Sequence, residues 1–223
     1  MTDELGRAFW EERYAHHASD HAEGGPHPPR HHLPNASLVS EADELPPGLA
    51  LDPGCGQGTD AVWLASRGWR VTAVDFVATA LQRAREYAAT RDAEVAGRID
   101  WVEADLTTWT PTERRFDLVS SQYVHLPAAP RAALFRRLAA AVAPGGTLLL
   151  VGHHPSDRET SIARGEERDL YLTAEDAAVD LDPGAWEILV SEARPRPATD
   201  PQGRAVTVHD AVLVARRRGV PAM

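Results

Sequence analysis

Leu51 to Asp60 reads LDPGCGQGTD, with glycines at 54, 56 and 58. A short apolar run, Gly48-Leu49-Ala50-Leu51, precedes it. An apolar pattern at helical spacing, Ala61-Val62-Trp63-Leu64-Ala65, follows. The stretch therefore reads as strand, glycine turn, helix. Turns of this kind bring backbone N–H groups close to a nucleotide.

Outward from this turn the chain alternates. Apolar runs at 48–52, 71–75, 99–103, 116–120 and 147–151 predict strands. Helical patterns at 59–67, 78–90 and 131–142 lie between them. Alternating strand and helix predicts a parallel sheet with helices on both faces. Gly145-Gly146 is read as the turn into the fifth strand. Two late runs, 186–194 and 205–215, flank the link PRPATDPQG and predict an antiparallel pair. Before the alternation begins, Leu5, Ala8, Phe9 and Trp10 predict a helix over about residues 4–15. The His-, Pro- and Gly-rich stretch from His16 to Asn35 predicts a loop. The expected division is a helix and lid segment over 1–45 and a main domain over 46–218.

Composition narrows the classes. The chain has 223 residues, 43% of them hydrophobic, enough for one α/β core with additions. No run of 18 apolar residues occurs, so no membrane span is expected. The charged N-terminus MTDELGRAFWEERY lacks the apolar core of a signal peptide. A single cysteine excludes an internal disulfide and predicts a cytoplasmic setting. The net charge of -10 argues against a nucleic-acid partner.

The ligand of the glycine turn is decided by its acids. A dinucleotide fingerprint is G-x-G-x-x-G, whereas this chain has G-x-G-x-G. Asp75, at the end of the second strand, can accept both hydroxyls of a ribose diol. Asp52, two residues before Gly54, repels a pyrophosphate and attracts a cation. A nucleoside with a cationic amino-acid tail and a sulfonium fits this pattern, which describes S-adenosylmethionine. After the third strand, Asp105 can accept the adenine amine and the Leu106 backbone N–H can donate to the ring.

LDPGCGQG, VTAVDF, EADL, FDLVSSQYVHLP and APGGTLLL, in this order and spacing, resemble the class I S-adenosylmethionine-dependent methyltransferases. The resemblance runs from about 48 to 215 and includes the closing antiparallel pair. It implies an α/β, Rossmann-like, doubly wound and mostly parallel sheet with an N-terminal helical cap. FWEERYA followed by LPN also resembles the small-molecule branch that includes tellurite-resistance and thiopurine S-methyltransferase-like enzymes. Pro53 departs from the usual Leu or Val but is tolerated at a strand end.

Each singled-out residue has a plain alternative. Gly54, Gly56 and Gly58 either cradle the cofactor or only make a tight turn. Cys55 is read as a small residue of the cofactor turn rather than a nucleophile. Asp75 binds ribose or caps the next helix. Asp105 binds adenine or holds a surface turn. Phe76 covers adenine or belongs to the core. In related enzymes the segment after the fourth strand, here Ser121 to Pro127, borders the methyl group. Ser121 therefore joins the cofactor set, and His125 is a candidate general base or a histidine bonded to a loop carbonyl. Beyond the fifth strand one of His153 and His154 faces the site on this reading, and His154 is carried as the candidate. Trp10 and Tyr14, four residues apart, share a helix face that either closes over the ligands or packs in the core. Arg13 pairs with the cofactor carboxylate or with an acid of the domain. Six of the ten histidines lie between 16 and 32, and His17 and His21 have metal-ligand spacing. With no supporting cysteine or carboxylate, the segment reads as a lid and no metal is assigned.

The expected reaction is methyl transfer to a small molecule, most of all to a thiol or other soft nucleophile. O- or N-methylation in specialised metabolism and cofactor binding without catalysis are the alternatives. The acceptor's identity and the oligomeric state are left open by the sequence.

Overall fold

The computed structural model describes Glu11, residues 33–162 and residues 170–219. The predicted N-terminal helix with Trp10, Arg13 and Tyr14, and the histidine-rich segment 16–32, lie outside the described residues. The chain forms two compact units, residues 1–110 and 111–223.

The first unit contains α1 (Ala36–Ala42), β1 (Leu49–Pro53), α2 (Thr59–Ser66), β2 (Arg70–Asp75), α3 (Ala78–Ala89), α4 (Ala93–Ala96) and β3 (Ile99–Glu103). β2 pairs in parallel with β1 on one side and β3 on the other, with Asp52 level with Ala73 and Asp75 level with Glu103. α3 forms because Ala80, Leu81, Ala84 and Ala88 recur at helical spacing, and all four are buried. α1 begins at Asn35, whose Oδ1 accepts the Ser37 and Leu38 backbone N–H groups.

The second unit contains β4 (Phe116–Gln122), α5 (Ala128–Ala141), β5 (Val142–His153), a 3-10 turn (Pro155–Glu159), α6 (Ala174–Ala178), β6 (Trp186–Thr199) and β7 (Ala205–Arg217). β5 pairs in parallel with β4 and antiparallel with β7, and β7 pairs antiparallel with β6. Leu148, Leu149, Leu150 and Val151 are all at most 5% exposed. A central strand buried on both faces is apolar at every position rather than alternating. Each such leucine contributes roughly 1.5–3 kcal/mol by leaving water.

Two boundaries differ from expectation. Gly145-Gly146 lie inside β5 rather than before it, where the register against β4 shifts between Phe116 and Leu118. A Cβ on Gly146 would stand 2.9 Å from the Phe116 carbonyl oxygen, so the irregular ladder needs glycine there. β6 runs on to Thr199 through Pro195 and Pro197, instead of ending at residue 194. Proline removes a donor, which an edge strand tolerates because one side of it has no partner to lose; among the described residues β6 pairs with β7 alone.

Parallel ladders, helices between the strands and a closing antiparallel pair give the Rossmann-like, mostly parallel α/β class read from the sequence. Among the described residues no helix is long and apolar enough to cross a membrane.

Candidate functional site

In the first unit the glycine turn is built onto the ends of β1 and β2. The Gly54 and Cys55 N–H groups both donate to the Val74 carbonyl, at 2.7 and 3.1 Å. The Gly56 N–H donates to Asp75 Oδ2 and the Val77 N–H to Asp75 Oδ1, each at 2.9 Å. Asp75 therefore ties the turn to the start of α3. Gly54, Gly56 and Gly58 all have positive φ. Gly58 is additionally crowded, because a Cβ there would stand 2.5 Å from the Trp101 ring.

Three acids gather at this turn. Asp52 is 3% exposed, and its Oδ2 has no hydrogen-bond partner among the described residues. Burial, then the charges of Asp60 and Asp75, raise its pKa well above the ordinary value, against a lowering contribution from the Ala61 backbone N–H. Asp60, in the first turn of α2, is pushed up to about 6 by burial, while the Asn35 N–H lowers it. That N–H lies 2.7 Å from Asp60 Oδ1. Burial raises the Cys55 thiol as well, with Asp52 and Asp75 adding to it, so the group stays a neutral thiol rather than a nucleophile. A buried carboxylate oxygen without a donor, beside two further acids, is a place that a cation completes. The set fits the ammonium of a cationic amino-acid tail.

Asp105 behaves differently. It is exposed, and its Oδ1 accepts the Thr107 backbone N–H at 2.8 Å and the Thr107 hydroxyl at 2.7 Å. It lies two residues beyond Glu103, the residue level with Asp75, and holds its own turn. Leu106 is buried and Phe76 half-buried. Among the described residues no group of three or more His, Cys, Asp or Glu side chains is arranged to hold a metal ion.

In the second unit a narrow pocket opens at the carboxyl ends of β4 and β5, lined among others by Ser121, Val124, His125, Val151, His153 and Leu172. Ser121 is 2% exposed on β4. Arg131, on α5, donates to the carbonyls of Leu126 and Tyr171, both at 3.2 Å, and so ties down the loop that carries His125. The His125 and His153 rings lie 5.5 Å apart between centroids. His154, the candidate taken from the sequence, is not part of this group. Its ring turns the other way, caps the 3-10 turn, and reaches the Ser156 hydroxyl at 2.9 Å. Successive residues of a strand point to opposite faces, so only one of the two histidines can line the pocket. Ser156 in turn contacts His209 Nδ1 at 3.3 Å.

Sequence reasoning missed Asp60, Tyr123 and the Arg196–Asp210 pair. Asp60 carried a weak signal, an acid in the first turn after the glycines. Nothing local marks Asp210 or Arg196, whose roles depend on strand register.

Fold and glycine turn together define a nucleotide-binding α/β domain with a cation-seeking acid cluster. Residues 50–146 of the chain match the family described as a methyltransferase domain. Among curated proteins it is similar to a trans-aconitate 2-methyltransferase from Streptomyces coelicolor, 37% identical over 123 residues, which are 52% of this chain and 39% of that one. It is also similar to a probable thiol methyltransferase 2 from Arabidopsis thaliana, 32% identical over 151 residues, 67% of this chain and 63% of that one. This chain thus spans less than two thirds of either relative. The solved structure of TehB from Haemophilus influenzae shares the fold with a TM-score of 0.65 at 19% identity, covering 82% of this chain and 62% of that one.

Proposed function

We propose that the protein transfers the methyl group of S-adenosylmethionine to a small molecule in the cytosol, and that the acceptor is a thiol or another soft nucleophile. When bound, the cofactor supplies a methyl group activated by a sulfonium, whose displacement leaves a neutral thioether. The first unit holds it. Asp52, helped by Asp60, takes the ammonium; the Gly54-Cys55-Gly56 backbone lies along the tail; Asp75 takes the ribose diol. Phe76, Leu106 and the second oxygen of Asp105 surround adenine, and Ser121 is a further residue proposed for the cofactor. Trp10, Arg13 and Tyr14, outside the described residues, complete the proposed set.

The observation that carries the acceptor class is the second unit's pocket, lined by two imidazoles, by apolar side chains and by Ser121, Tyr123 and Arg131, and among the described residues by no carboxylate. A thiol near pKa 8.5 gives its proton to an imidazole near 6.5 at a cost of about 3 kcal/mol. A phenol near 10 costs about 5 kcal/mol under the same conditions. His125 therefore suits a thiol far better than a phenol or an alcohol, which would need a stronger base. The similarity to a protein described as a probable thiol methyltransferase supports the same choice.

A second reading is favoured by the trans-aconitate relative, O-methylation of a carboxylate. A carboxylate is already deprotonated at neutral pH, so this reading needs no base. Product formation over a panel of thiols, carboxylates, phenols and amines separates the two, measured with the native protein and with His125→Gln. Turnover on thiols that falls at least tenfold in the variant supports the first reading. Turnover on carboxylates that the variant leaves unchanged supports the second. Tight cofactor binding with no product on any acceptor would make the protein a binder without catalysis.

A further inference from the structure

Tyr123 follows β4 directly and has a φ of +49°, a left-handed conformation that aromatic residues rarely adopt. Such a backbone costs on the order of 1–3 kcal/mol and persists where surrounding contacts enforce it. Here the contacts are specific. The Tyr123 N–H donates to the Val151 carbonyl at 2.8 Å. Its ring stacks on His153 at 4.6 Å between centroids and 26° between planes. Its hydroxyl reaches the Arg196–Asp210 ion pair, in which Arg196 Nε lies 2.7 Å from Asp210 Oδ2. Burial and then Asp210 push that hydroxyl's pKa up, so it remains a neutral phenol. Asp210 Oδ1 has no hydrogen-bond partner among the described residues.

Strand register places the carboxylate. Asp210 on β7 stands directly opposite His153 on β5, and directly opposite residues of an antiparallel ladder put their side chains on the same face. Asp210 is 4% exposed, so its charge is poorly screened by water. Among the described residues the charged and titratable groups around His153 include His125 and Tyr123 after β4, Arg131 on α5, Asp210 on β7, Arg196 on β6 and Tyr171, which bridges to His153. Two imidazolium rings at the His125–His153 separation would repel by about 3 kcal/mol at an effective dielectric near 20, so uptake of one proton by the pair disfavours uptake of a second.

We propose that Tyr123 and Asp210 are positioning residues for methyl transfer, fixing His153 against His125 so that the proton taken from the acceptor is shared by two imidazoles beside a buried carboxylate. The proposal rests on the reading of His125 as the proton acceptor. The acceptor sulfur's electron pair would form the new S–C bond as the sulfonium S–CH3 bond breaks and its pair leaves on the neutral thioether; the acceptor's proton passes to the imidazole pair, and solvent takes it from there. Arg196 opposes Asp210, so its removal and the removal of Asp210 act on the pair with opposite signs.

The test is a histidine NMR titration of the full chain without any acceptor, followed by the pH dependence of kcat/KM on whichever acceptor turns over. Asp210→Asn lowers the titration midpoint of the pair by about one pH unit, and Arg196→Gln raises it. The acid limb of kcat/KM follows both shifts, while cofactor affinity stays within twofold. Tyr123→Phe retains the stack and loses less than threefold in kcat; Tyr123→Leu loses about tenfold at unchanged acceptor KM. Midpoints that do not move, or that move in the same direction in both charge variants, overturn the proposal. Arg196 is the more exposed partner, so its variant reports even if the Asp210 variant fails to fold. Because the titration needs no acceptor, a failure of the thiol reading on the panel is seen separately.

Discussion

At the scale of single residues the acids at the glycine turn define a linkage. Asp60 has an ordinary pKa of 3.8 and sits near 6 in the fold, so the folded state prefers it neutral. The sign follows: its contribution to stability is complete below 3.8 and is lost as pH rises through about 6. The expected loss is about 2 kcal/mol between pH 4 and pH 7, read as the difference between the native protein and Asp60→Asn in denaturant titrations at each pH. A cation bound beside Asp52 and Asp60 favours their ionised forms. Cofactor affinity is therefore expected to strengthen as pH rises through about 6, with protons released on binding, and to do so less in Asp60→Asn. Calorimetry in two buffers of different ionisation enthalpy measures both. Gly58 makes a second residue-scale prediction. Gly58→Ala meets the Trp101 ring and a positive φ together, and is expected to cost about 2–4 kcal/mol in unfolding free energy, with cofactor affinity reduced as the turn shifts.

At the scale of elements, the loop between β4 and α5 depends on one side chain. Arg131 is 8% exposed and serves the carbonyls of Leu126 and Tyr171. Arg131→Met leaves both acceptors buried without a donor, an expected cost of about 2–3 kcal/mol, and loosens the segment that carries His125. Thermal unfolding and acceptor KM are expected to worsen together, while cofactor affinity is unchanged. The elements themselves were largely legible. Strand runs such as Val71 to Val74 and Leu148 to Val151 are mostly apolar because parallel strands are buried on both faces, and glycines mark where they turn. What the sequence could not supply was register. Whether His153 or His154 lines the pocket depends on which is level with Asp210 across β5 and β7, fifty-odd positions away. The tie from Asn35 to Asp60 and the clasp of Asp75 on Gly56 are likewise contacts across sequence distance. Pro195 and Pro197 read as a break because proline weakens any ladder, yet an edge strand loses nothing on its open side.

At the scale of the whole molecule, charge and family set the partner class. The net charge of -10 opposes the counterion release that drives non-specific binding to nucleic acid. No RNA binding is expected at about 0.15 M salt, and a filter-binding or anisotropy titration with structured RNA checks it. Residues 50–146 match a methyltransferase domain, and in the proposed function the acceptor is selected at the imidazole-lined pocket of the second unit. The most direct measurement is S-adenosylhomocysteine formation with thiol, carboxylate, phenol and amine acceptors, using the native protein and His125→Gln side by side. The account expects turnover on thiols and a drop of at least tenfold in the variant. Turnover confined to carboxylates, phenols or amines, or thiol turnover indifferent to His125, would contradict it.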